Sequence, residues 1–93
     1  MNSVRKFEVQ VTSYYEVEID TSKFTKQVMD DFEEVMYEMG EIEGHAEHIA
    51  TMLHRRGEGT SDGVELEGYG DLAEVGVRAE HIDEESSARE KRP

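Results

Sequence analysis

Cysteine is absent from all 93 residues, which excludes a disulfide framework and a thiolate metal site. No stretch approaches the roughly 18 apolar residues of a membrane-spanning helix. The opening MNSVRKFEV also lacks the apolar run of a secretory signal. These absences together fit a cytoplasmic protein. Apolar residues are scarce too, at 35% of the chain, so one small domain with a thin core is expected, with part of the chain in loop or tail. Cations are the scarcest resource: 10 Lys and Arg stand against 23 Asp and Glu, a net charge of −13. Such a chain is repelled by nucleic acid and by anionic membranes. Its natural partners are basic proteins, cations, or protein sites that ordinarily receive nucleic-acid phosphates. The competing reading is that the acidity serves only solubility.

What is present is strong patterning. Phe7, Val9, Val11, Tyr15, Val17 and Ile19 alternate with polar residues, which predicts one long strand with a buried and a solvated face. Asp20, Thr21 or Ser22 can cap a following helix. Phe24, Val28, Phe32, Val35 and Met39 then recur at helical spacing, giving a first helix over about 22–39 closed by Gly40. A second helix carries Ile42, Ala46, Ile49, Ala50 and Leu53 on one face, weakened at Gly44 and ended by Gly57. A link of only a residue or two makes a sharp corner between the helices. GEGTSDG is a loop, 64–67 a short extended piece, 68–70 a turn, and 71–75 a helical turn. Residues 77–82 form a second, shorter strand, and the polar run from Asp83 reads as a disordered charged tail. The fold class is therefore α+β. A domain over 1–83 and a tail over 84–93 are expected, with two consecutive helices on one face of a small antiparallel sheet. The long strand would outrun its partner and leave an open edge, which a second copy could cover. Monomer and homodimer both stay open.

The segment 28–54 holds eight carboxylates and no Lys or Arg. Asp30, Glu34 and Glu38 recur every fourth residue, about 6 Å apart along a helix axis. They fall opposite the apolar face, with Asp31, Glu41 and Glu43 flanking them. Like charges at that spacing destabilise a helix, whereas a row of carboxylates can stand in for a phosphate backbone before a Lys/Arg-lined channel. These six are the candidate partner-binding residues. Glu41, His45, His48 and Met52 line one flank of the second helix. His45 and His48 are the candidate metal ligands, with His81 as a donor from elsewhere, but the HEXXH pattern is missing. A histidine pair at a packing contact, with Glu41 favouring the protonated form, is the preferred reading, with no metal and no cofactor. The glycine-rich pieces lack a P-loop ending and a dinucleotide-site context. No Ser stands at a nucleophile elbow, so no catalytic residue is assigned.

The pair EIEGHAEHIATMLHRRG and EGYGDLAEVGV, a His-Ala-Glu-His helix followed by a Glu-Gly-Tyr-Gly turn, resembles the short acidic proteins of bacteriophages and prophages. That class includes anti-CRISPR and anti-restriction inhibitors. The resemblance implies a non-catalytic inhibitor in the host cytoplasm that presents acid to a nucleic-acid-binding host defence complex. It carries over no individual binding residue. The alternative expectation is a small structural or assembly module, dimeric, whose charge serves solubility.

Overall fold

A computed structural model of the chain describes residues 3–91. Alternation between Phe7 and Ile19 produces the long strand β1 (Phe7–Ile19), and its partner is β4 (Val77–Glu90). The two run antiparallel in one two-stranded sheet, from Phe7 opposite Glu90 to Ile19 opposite Val77, with a register shift at Tyr14/Tyr15. Between them lie α1 (Lys26–Val35), α2 (Ile42–Arg55) and a tiny hairpin of β2 (Glu65–Leu66) and β3 (Gly70–Asp71). This is the α+β arrangement expected from the patterning, and Tyr15, Val17 and Ile19 pack against the core as the odd-position face requires.

The disordered tail is a correction. Residues 84–90 complete β4 and pair with residues 7–13, so that β4 runs along the whole length of β1, and residues 92–93 lie outside the described ones. Composition misleads here because this pairing needs no apolar side chains. Backbone ladder bonds hold it, joined by cross-strand contacts: Arg5 Nε to Glu90 Oε2 at 2.6 Å, Arg89 to Glu8 at 3.3 Å and the Tyr14 hydroxyl to Glu85 at 3.1 Å. β4 is thus as long as β1, and it is not a short strand. The open edge expected from unequal lengths does not arise that way. Instead, among the described residues, no third strand joins the sheet, and only the inner end of β4 is edged. Residues 59–61 edge it, where Ser61 N donates to Ala79 O at 2.9 Å and His81 N to Gly59 O at 2.8 Å.

The first helix is shorter than its periodicity implies. Asp20 accepts from the backbone and hydroxyl of Ser22, at 2.9 and 2.6 Å, and so closes a turn. Thr25 caps α1 instead, its hydroxyl accepting from Val28 N. At the other end the chain leaves the helix at Met36, and Gly40 lies in the linker. Tyr37 turns back to meet the Phe32 and His48 rings edge-on. The linker over 36–41 is therefore longer than the one or two residues expected. Gly44 has a structural reason: a Cβ there would overlap the Met39 carbonyl oxygen, so the linker can cross α2 only over a glycine. Phe24, Phe32, Ile49, Leu53 and Leu72 are fully buried and centre the core.

The molecule measures 63 × 24 × 18 Å. The body holds the helices, the small hairpin and the inner ends of β1 and β4. Beyond the register shift the two strands continue as an arm over 3–14 and 83–91, almost wholly exposed.

Candidate functional site

The corner where α1 passes into α2 carries all six predicted partner-binding carboxylates, and all six are exposed. They do not form one helical row. Asp30, Asp31 and Glu34 ride on α1, Glu38 sits in the linker, Glu41 is the N-cap position of α2 and Glu43 lies in its first turn. Asp30 is also compensated, because Lys26, just outside the acidic segment, reaches it at 2.7 Å, and that contact raises the lysine pKa. Asp31 accepts from Gln27 at 2.7 Å. Glu34, Glu38, Glu41 and Glu43 have no ion-pair partner among the described residues. Glu43 also suits its place, since a carboxylate is favourable at a helix N-terminus. Beside the corner an open cleft of about 520 Å³ is lined by Phe24, Met29 and Ile42, with Asp30, Glu33 and Glu41 also on its walls.

The body also holds a buried polar junction. His45, fully buried on α2, places Nδ1 2.7 Å from the Tyr69 hydroxyl and Nε2 3.3 Å from a carboxylate oxygen of Glu33 on α1. A carboxylate only accepts, so Nε2 carries a proton toward Glu33, and in the neutral imidazole Nδ1 accepts the hydrogen bond that the Tyr69 hydroxyl donates. Burial, followed by the charges of Tyr37 and Glu33, pushes the Tyr69 phenol far up, which keeps that donor protonated. The Tyr69 ring stacks on Phe32 at 4.2 Å, and Phe24 and Phe32 meet the His45 ring edge-on. Gly68 makes the stack possible, because its φ of +88° and missing Cβ let the turn lie directly on the Phe32 ring. The Glu-Gly-Tyr-Gly turn and the His-Ala-Glu-His helix thus meet at one junction.

His48 points to a different neighbour. Its Nδ1 lies 3.3 Å from the Tyr37 hydroxyl, and burial, with the charges of His45 and Arg55, lowers its pKa. Glu41 does not pair with His45; the carboxylate that reaches the imidazole is Glu33. His81 packs edge-on against Tyr15. Among the described residues, no three His, Cys, Asp or Glu side chains gather as a metal site would require. No described helix is long and apolar enough to cross a membrane.

Sequence reasoning missed Glu33 and Tyr69 as structural partners of His45. The available signal was the Glu-Gly-Tyr-Gly turn, where glycines flank one aromatic residue in a chain with few of them. No family model, curated protein or solved structure matches the chain.

Proposed function

We propose that this is a non-catalytic acidic binding protein that engages a basic, nucleic-acid-binding surface of a host protein, in the manner of a phage-type inhibitor. The observation that carries the reading is the set of exposed carboxylates at Glu34, Glu38, Glu41 and Glu43, without ion-pair partners among the described residues, in the segment that joins α1 to α2. A rigid base supports it. The junction of Glu33, His45 and Tyr69 ties α1, α2 and the 66–70 turn together. Fixed charges pay less ordering entropy on binding than mobile ones. The adjoining cleft adds a recognition element: its apolar lining suits the stem of a Lys or Arg side chain and Glu41 suits the head, while Lys26 and Asp30 on the same wall already pair with each other.

Three baits test this on a bacterial lysate. Wild type is compared with Glu34→Lys/Glu38→Lys/Glu43→Gln and with Glu16→Lys/Glu18→Lys/Glu80→Gln, a variant of equal charge change on the exposed face of the sheet. Asp30 is left alone because Lys26 already holds it. The reading expects a nucleic-acid-binding protein to be captured by wild type and the sheet variant and lost by the corner variant. Equal loss from both variants would mean that only total charge matters, and would overturn the site.

A further inference from the structure

The arm presents apolar residues that its own chain leaves more than half exposed, with the Arg5 guanidinium 5.3 Å over the Phe7 ring at its tip. Phe7, Val9 and Val11 share the face that Tyr15, Val17 and Ile19 turn toward the core, yet they are 52%, 55% and 57% exposed. Opposite Val9 stands Ala88, on the same face. The paired stretch from Phe7 to Tyr14 projects roughly 25 Å at about 3.4 Å per residue. A two-stranded ribbon in water is marginal by itself, and three or more strands or a packed face are needed for stability.

The charges of the arm select its occupant. Its tip carries Arg5, Lys6, Arg89 and Lys91 against Glu8 and Glu90, a net positive end. Its base carries Asp83, Glu84 and Glu85 with no cation. The whole arm lies within one charge of neutrality, while the body carries essentially all of the −13. A second copy is therefore repelled at the body and accepted at the arm. Of these charges, by the strand register, only Arg5, Glu84 and Glu90 share the face of Phe7, Val9 and Val11, whereas Arg89, Asp83 and Glu85 turn the other way. Laid antiparallel about a two-fold axis near Val9, two arms set Arg5 of each beside Glu84 of the other. The same axis stacks Phe7 of each copy over Val11 of the other. Such a contact is isologous and closes on itself.

The geometry points to a homodimer formed by face-to-face packing of two antiparallel arms through Phe7, Val9 and Val11. This inference stands apart from the acidic corner, which remains exposed in the dimer.

Sedimentation equilibrium tests it with wild type, Val9→Thr/Val11→Thr and Gln10→Thr. The double variant keeps β-branched residues and so keeps the arm, while Gln10 lies on the opposite face. Wild type and Gln10→Thr are expected at twice the 10.6 kDa chain mass at high micromolar concentration. The double variant should dissociate at least tenfold more readily with an unchanged circular dichroism spectrum. Wild type at 10.6 kDa would overturn the dimer and leave the face to a foreign protein. Equal dimerisation by a folded double variant would overturn the surface.

Discussion

His45 Nδ1 and the Tyr69 hydroxyl lie 2.7 Å apart in a fully buried junction, where the tyrosine donates and the imidazole accepts. Tyr69→Phe keeps the ring that stacks on Phe32 and removes only the donor. It should destabilise the fold by about 1–3 kcal/mol, because a buried acceptor is left unsatisfied. Urea titration of both proteins measures the difference. A change near zero would mean that water or a rearranged neighbour satisfies the imidazole.

Gly44 reverses the usual helix rule. In most helices Gly→Ala stabilises by up to about 1 kcal/mol. Here the Cβ would meet the Met39 carbonyl oxygen, so Gly44→Ala should destabilise by at least about 1 kcal/mol, through displacement of the 36–41 linker. Thermal unfolding decides the sign, and a higher melting temperature in Gly44→Ala would rule out the close crossing.

His48 should give the fold a pH dependence of defined sign. Folding lowers its pKa below the ordinary 6.5 through burial and the nearby His45 and Arg55 charges, so the unfolded chain takes up the proton first as pH falls. The group costs nothing well above 6.5 and destabilises progressively as pH drops through 6.5 towards the folded value. Wild type should lose stability between neutral and mildly acidic pH, and His48→Gln should lose less. Parallel curves for the two proteins would remove His48 as the cause.

The ordered end of β4 can be checked by cross-linking, since the chain has no cysteine to interfere. Gln10 stands opposite Ser87, and Glu8 opposite Arg89. Opposed residues in an antiparallel pair have Cα atoms within disulfide reach, whereas diagonal ones do not. Gln10→Cys/Ser87→Cys should therefore oxidise readily and resist glutathione, and Gln10→Cys/Arg89→Cys should not. Equal cross-linking of the two pairs is the outcome for a disordered segment.

These tests fall where sequence and structure part company. β1 and the two helices were legible because their apolar periods are local. The period matches a buried face at Val17 and Ile19 or Ile49 and Leu53, but not at Phe7, Val9, Val11 or Val35, which stay exposed. The exposure of Glu34 and Glu43 was legible for the same reason, whereas Glu38 is exposed because it lies in the linker and not on the helix face its spacing implied. The end of α1 was not legible, because Val35 and Met39 continue the helical period while Tyr37 is drawn out of it by Phe32 and His48. The outer half of β4 was hidden by its polarity, since Ser86 and Ser87 owe their conformation to the strand opposite. The Glu33–His45–Tyr69 junction joins residues far apart in sequence, and only the fold brings them together.

The acidic corner is tested most directly by the association rate of wild type and the two charge variants with the captured partner, at low and at high salt. Steering weakens as the Debye length shrinks from about 10 Å at 0.1 M to about 3 Å at 1 M. The wild-type rate should fall steeply over that range, and the Glu16/Glu18/Glu80 variant should follow it. The Glu34/Glu38/Glu43 variant should associate at least about tenfold more slowly at low salt and respond little to added salt. A folded corner variant that associates as fast as wild type, or a wild-type rate indifferent to salt, would contradict recognition through these carboxylates.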